Sequence, residues 1–263
     1  MIECKSPREI ALMRAAGRVV ATVFKELEPL CRPGVSTAEL NQEAGRIIRS
    51  AGATPTFLGY GGFPGNICVS VNDTLIHGIP SKKIILKEGD IVSLDVGATL
   101  AGYCADAART FAVGNILEAT KRLVQTTEES FWEAVKTEAK PGHHLSNISH
   151  AIQNYCEARG YTLTPDYTGH GIGRNLHEDP MIPNVGEPGH GPRLKTGMCL
   201  AIEPMVNAGG VELDVMPDQW TVKTHDGQNS AHYENTIVIT ETGCQILTVL
   251  PEITIVNGEV IIK

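Results

Sequence analysis

Ile10, Met13, Gly17, Val20, Phe24 and Leu27 recur at three- and four-residue steps, the period of a helix with one apolar face. Ser6-Pro7-Arg8-Glu9 stands ahead of them. A serine cap, a proline in the first turn and a glutamate at the third position mark a helix start. Ser36-Thr37-Ala38-Glu39 repeats the capping box before Leu40, Ala44, Ile47 and Ile48, and Gly52 ends that helix. The same rhythm, more loosely kept, predicts helices over 118–138 and 145–159, the latter stopped by Gly160. The pattern then becomes short apolar runs bounded by glycines. These predict one hairpin from 90–96 and 105–113 around Gly102, and a second from 197–203 and 233–240.

The two hairpins resemble each other. LKEGDIVSLD ends at Asp95 and LKTGMCLAIE ends at Glu203, 108 residues later. The same shift carries Pro33-Gly34 onto Pro141-Gly142, Leu40 onto Ile148 and Gly52 onto Gly160. Landmarks at one offset indicate a duplicated unit of roughly a hundred residues. The second hairpin is longer by roughly twenty residues, through Gly209-Gly210 and the turn-rich 225–229. The expected architecture is α+β: two pseudo-twofold-related halves, about 1–115 and 116–263, forming a curved antiparallel sheet backed by helices. No Pro/Ser-rich linker separates the halves, so 1–263 reads as one domain with a shared core.

Composition narrows the function. Among 263 residues, 22 basic and 30 acidic side chains leave a net charge of -8. That balance argues against a nucleic-acid-binding domain and against contact with DNA. No apolar run is long enough to span a membrane. The opening MIECKSPREI carries Glu3, Lys5, Arg8 and Glu9, unlike a signal peptide. Seven cysteines without any C-x-x-C read as small buried hydrophobes in a reducing cytoplasm. The motifs of phosphate loops, dinucleotide folds and serine hydrolases are absent from the sequence.

Four carboxylates need a reason. Asp95 ends Ile-Val-Ser-Leu, Asp106 lies in CADAART, Glu203 ends Met-Cys-Leu-Ala-Ile, and Glu234 precedes Asn-Thr-Ile-Val-Ile. Each sits in or beside a strand that reads as buried. Clustered buried acids raise one another's pKa and cost free energy unless cations neutralise them. Two from each half suggest two divalent ions, with neutral imidazole completing the shell. The alternative is strand-end acids, solvated or paired with an arginine such as Arg109 or Arg174.

Histidines fit the first reading. His77 and His177 each open an H-x-x-P, one per half, and suggest a facing pair. His170 has no counterpart: the equivalent position is Val69. One histidine on the metal and two near a substrate would explain the asymmetry. His170 and His177 both lie in GHGIGRNLHEDP, seven residues apart. Its glycines and proline exclude one helix carrying both, and a straight strand would send them to opposite faces. The backbone is therefore expected to bend between them, with the glycines allowing it.

Taken together, His-Gly-Ile-Pro at 77–80, Leu-Asp-Val-Gly around Asp95, Cys-Ala-Asp-Ala-Ala-Arg-Thr around Asp106, Gly-His-Gly-Ile-Gly-Arg at His170, His-Glu-Asp-Pro at His177, Ile-Glu-Pro at Glu203 and the segment through Glu234 resemble the methionine aminopeptidase family of pita-bread metallopeptidases. The resemblance covers nearly the whole chain and looks like a minimal type 1 enzyme. It implies excision of N-terminal methionine from peptides and nascent chains with a small second residue. It implies Asp95, Asp106, His170, Glu203 and Glu234 as ligands of two divalent ions (Co, Mn, Fe or Zn), bridged by Asp106 and Glu234. Glu203 would also move the proton, and His77 and His177 would contact the scissile peptide. Tyr60, Phe63, Cys68 and Trp220 would line the methionine pocket, and Asn72, Thr74 and Ser230 would hold a Na or K ion. Phe57, Phe63 and Leu176 depart from the family's usual cysteine, tyrosine and phenylalanine, and are expected near the pocket. A monomer, with transient ribosome contact, is what the family suggests. Related X-Pro peptidases share the five ligands but resemble longer chains.

Overall fold

The computed structural model describes residues 2–262. Both predicted capping boxes form. The Ser6 hydroxyl accepts from Glu9 N and the Glu9 carboxylate accepts from Ser6 N, opening α1 (Pro7–Leu27). Ser36 and Glu39 do the same for α2 (Thr37–Ser50). In the second half, α3 (Glu118–Thr137) and α4 (Leu145–Glu157) start at Leu117 and His144 without a side-chain cap. Packing against each other and the sheet holds these two, which matches their looser sequence signal.

Strand pairing is antiparallel throughout the described residues. The Asp95 strand (Ile91–Leu100) and the Asp106 strand (Tyr103–Ala112) make a long hairpin, turned at Ala101 and Gly102 with φ of 51° and 80°. Cys68–Val71 flanks it, with Cys68 opposite Asp95. In the second half Cys199–Ile202 pairs with Asn235–Ile239, and Thr168–Gly171 lies beside it with His170 opposite Ala201. The ladders divide into separate sheets rather than one uninterrupted sheet. A short seam nevertheless joins the halves. Ala108 and Glu234 exchange backbone hydrogen bonds of 3.4 and 3.0 Å. Thr236 Oγ1 accepts from Asp106 N and donates to Asp106 O, and Thr110 Oγ1 bonds His232 in the same two ways.

Alternation along the strands sorts their side chains. Val92, Leu94 and Val96 join Val20, Phe24, Leu40 and Ile48 in a core beneath α1 and α2. Leu200, Ile202, Ile237 and Ile239 join Phe131, Ile148 and Ile152 beneath α3 and α4. Each such side chain stabilises the fold by about 1.5–3 kcal/mol relative to exposure. Asp95, between Leu94 and Val96, is thereby directed to the other face. A third cluster, with Met13, Phe57, Phe63, Ile172, Leu176 and Leu247, draws on both halves. Gly17 explains itself there: a Cβ would stand 2.0 Å from Leu247 O, so α1 meets second-half backbone directly.

The longer second hairpin does not stay in its own half. Its Val222–Thr224 strand pairs with Thr74–Ile76 of the first. No helix among the described residues is long and apolar enough to cross a membrane.

Candidate active site

The seam places the four carboxylates side by side. Across the joined sheets the order is Asp95, Asp106, Glu234, Glu203, one per strand or strand end, and His170 follows on the next strand. Asp106 and Glu234 are buried, at 4% and 1% exposure. Asp95 Oδ1, Asp106 Oδ1 and Glu234 Oε1 are buried without a hydrogen-bond partner. Burial first, and then the neighbouring acids, push Asp95, Glu203 and Glu234 well above the usual carboxylate range. Burial also raises Asp106, to about 7.

Arginine does not neutralise them. Arg109 donates to the Ala108 and Glu234 carbonyls and to Asn235 Oδ1. Arg174 reaches Glu9, at 4.0 Å. Orphaned acidic oxygens beside an imidazole are the donor set of a hard or borderline divalent cation. The residues present therefore fit such an ion, and the ion-pair alternative fails.

His170 is prepared to join that set. Its Nδ1 donates to Gly171 O at 2.9 Å, which fixes the tautomer and leaves the Nε2 lone pair facing the acids. Nε2 lies 3.5 Å from Glu203 Oε1 and 3.9 Å from Asp106 Oδ2. Burial lowers its pKa to about 4, so the ring is neutral.

His177 returns to within 4.2 Å of His170, ring centre to ring centre. The bend comes from a register shift after His170 and the turn that follows. The glycines allow it through missing side chains rather than unusual backbone angles. None of Gly169, Gly171 and Gly173 has positive φ. Instead a Cβ at 169 would stand 2.4 Å from Ala201 O, and one at 171 would stand 2.1 Å from Asp179 O. They allow backbones to approach closely.

His77 lies across the cavity at φ 57°, a left-handed conformation uncommon for a side-chain-bearing residue. Burial lowers it to about 4, with His177 a secondary cause. His177 is lowered by burial too, and the Tyr60 hydroxyl meets its Nδ1 at 2.8 Å. Phe57, Tyr60, Phe63, Cys68, Leu176 and Trp220 complete the walls of a cavity of about 150 Å³ that all five candidate ligands, His77 and His177 also line. That is smaller than a drug-sized pocket and suits one side chain. Trp220 stands edge-on to Phe63 at 5.2 Å and to His77 at 6.1 Å. Gly97 makes room for Phe57, whose ring would lie 2.7 Å from a Cβ there. A cleft of about 490 Å³ beside α3 and α4 contains none of these residues.

Asn72, Thr74 and Ser230 come together at the edge of the first half, where Ser230 N donates to Asn72 O. The Asn72 side chain is engaged with Ile91 N and Asp90, and Ser230 Oγ donates to Val206 O.

Sequence reasoning missed His232. It is buried, its Nε2 has no hydrogen-bond partner, and it lies 3.6 Å from Glu203 Oε2. With Glu203 and Glu234 it forms a second group of potential ligands beside Asp106, His170 and Glu234. A signal was available: His232 lies two residues before Glu234, on the same side of an extended chain.

A sheet-borne row of acids beneath an apolar pocket defines the class of a divalent-metal hydrolase. The chain belongs to metallopeptidase family M24, whose model matches residues 11–241. It is 56% identical over 248 residues to methionine aminopeptidase 1 of Bacillus subtilis, covering 94% of this chain and 99% of that one. The crystal structure of methionine aminopeptidase from Thermotoga maritima superposes with a TM-score of 0.93 at 46% identity, covering 95% of this chain and all of that one. Prolidase from Pyrococcus furiosus shares the fold, with a TM-score of 0.74 at 24% identity, and this chain spans 65% of its length. The architecture is the pita-bread fold, and its family uses divalent metal.

Proposed function

We propose that this chain is a methionine aminopeptidase that removes N-terminal methionine from peptides and nascent chains with a small second residue. The observation that carries the reading is the juxtaposition of orphaned acids with a small apolar cavity. Asp106 and Glu234 occupy the middle of the acidic row, where they would be shared between two divalent ions. Asp95 would complete the set for one ion, and His170 with Glu203 the set for the other. The donor set suits Co, Mn, Fe or Zn. Na or K at Asn72, Thr74 and Ser230 would use carbonyl oxygens, because two of those side chains are already engaged. One domain spanning both halves fits the shared acidic row.

Bound there, divalent ions would supply Lewis acidity, lowering the pKa of a water and polarising the scissile carbonyl. Glu203 takes the proton from the water and hands it to the leaving amine. His77 and His177, both neutral by burial, hydrogen-bond the scissile peptide and stabilise charge developing on it. Tyr60 at Nδ1 orients the His177 ring. The unbranched thioether enters between Phe57, Phe63, Cys68, Leu176 and Trp220, where its polarizable sulfur meets aromatic edges. The physiological setting is the cytoplasm, where nascent chains begin with methionine; seven unpaired cysteines accord with it. A monomer in transient contact with ribosomes would serve this role.

The test is release of methionine from peptides beginning Met-Ala, Met-Ser and Met-Leu, with and without chelator. Metal-dependent cleavage of the first two and little of the third is expected. Cleavage of Ala-Pro or Met-Pro dipeptides alone would favour an X-Pro peptidase. Binding without cleavage would point to a peptide-binding module.

A further inference from the structure

Lys5 lies far from the reacting atoms in sequence, yet its side chain is 4% exposed and buried beside the His177 turn. Its Nζ donates to Glu178 Oε2 at 2.6 Å, and Glu3 lies at 3.4 Å. Glu178 follows His177 directly. Its other oxygen, Oε1, accepts from Asn175 N at 3.1 Å and so closes the turn that ends in His177. One carboxylate thus joins the turn to the N-terminal segment. Lys5 itself is anchored, since its N donates to Gly197 O at 2.7 Å and Cys4 bridges Met198. Those residues lead into the Cys199–Ile202 strand, which Glu203 follows.

Gly173 belongs to the same arrangement. A Cβ there would stand 2.4 Å from Lys5 Cε and 2.7 Å from Glu178 Oε1. Its lack of a side chain makes room for the ion pair rather than for a bend. Elsewhere the turn is held by Cys104 N donating to Gly173 O, Ile172 N to Cys199 O and the Tyr60–His177 contact. Without Lys5, the Glu178 carboxylate would lose the ammonium that holds it and turn toward water, releasing Asn175 N. On its C-terminal side His177 would then keep only the backbone pairing of Glu178 with Gly171 and lose the side-chain restraint.

We propose that Lys5 is a positioning residue, whose ion pair with Glu178 fixes the 173–178 turn and thereby sets the place of the His177 imidazole in the cavity. The catalytic consequence rests on the reading of His177 as a substrate-side group. A purely structural pair would lower stability without acting through His177.

A double-mutant cycle in the metal-loaded full chain separates these cases. Lys5→Met keeps the length of the side chain and removes its charge. Turnover of a Met-Ala peptide should fall about ten- to a hundredfold, as expected of a misplaced catalytic group, with metal content unchanged. In a His177→Ala background the same change should have less than about a twofold effect, because the two residues act together. The NMR signals of the His177 ring should shift or broaden in Lys5→Met while those of His77 stay. Glu178→Gln keeps the acceptor for Asn175 and should show a weaker version of both effects; it serves if Lys5→Met does not fold. Equal loss of turnover with and without His177, or an unchanged His177 signal, overturns the proposal. If His177→Ala alone leaves turnover intact, the reading of His177 fails, and the NMR result still decides the positioning.

Discussion

The two halves contribute acids in different ways. In the first, Asp95 and Asp106 sit within the long strands of a tight hairpin, and Ala101-Gly102 turns it. In the second, Glu203 and Glu234 lie at the inner ends of shorter strands, and the chain leaves the sheet between them. That excursion carries Trp220 and sends Val222–Thr224 across to pair with Thr74–Ile76, next to His77. The repeated part of the unit supplies a nearly symmetric acidic floor. The unrepeated insertion adds Trp220 to a wall whose other members, Phe57, Tyr60, Phe63, Cys68 and Leu176, come from outside it. Duplication can therefore account for the four acids, while His170 and Trp220 arise where the copies diverge.

The sharpest test of the symmetric floor is its middle. Asp106→Asn and Glu234→Gln should each abolish binding of both ions together with activity, because in the proposed assignment each acid serves both positions. Asp95→Asn should leave one ion bound. Calorimetric stoichiometry with Mn distinguishes them, and equal losses at all three positions would break the bridging assignment.

His77→Ala should come next, lowering turnover by about a hundredfold with metal content intact, in line with a lost donor to developing charge. Unchanged turnover would remove His77 from the mechanism. Trp220→Ala probes the wall. It should lower kcat/KM for methionine peptides by about 10–200-fold, the range for lost pocket contacts, while leaving metal affinity unaltered. Loss of metal in this variant would show that wall and floor are not separable.

The smallest effect concerns pH. In the metal-free chain Asp95, Glu203 and Glu234 have raised pKa values and Asp106 is near 7. A group whose folded pKa is raised contributes stability that is lost as pH rises through that value. Buried His77, His170, His177 and His232 have lowered values, so their contribution opposes this below the ordinary histidine value of about 6.5. Above it the buried acids dominate, and exposed His225, raised by its hydrogen bond to Asp214, acts in the same direction. The Tm of the metal-free protein should thus fall from pH 6.5 to 8, while the metal-loaded protein changes less. A parallel pH dependence in both forms would show that the acids are not linked to metal.

Much of this was legible locally. Ser6-Glu9 and Ser36-Glu39 announce helices because capping is a contact between near neighbours. The hairpin strands run a few residues beyond or short of their apolar signals, as with Ile91–Leu100, since ladder hydrogen bonds continue through Gly97 and Thr99 regardless of hydrophobicity. Asp95, Asp106, Glu203 and Glu234 stood out as acids within apolar runs. His232 did not, because a lone histidine gives no such contrast, and its position toward Glu203 depends on strands brought together by the fold. Gly171 lets its own segment fold back, as expected, since a Cβ there would meet Asp179 O; what Gly169 and Gly173 make room for was not legible, for Ala201 and Lys5 lie elsewhere in the chain.

By itself, then, the sequence determined the helices, the duplicated hairpins, the acidic residues that need a cation and the family they resemble. These depend on composition, period and neighbours along the chain. Tertiary structure alone decided the order of the acids across the seam, the tautomer of His170, the closure of the pocket by Trp220 and the reach of Lys5 to the His177 turn. Each is a contact between segments many residues apart, and its geometry exists only once both cores have packed and set the two halves edge to edge.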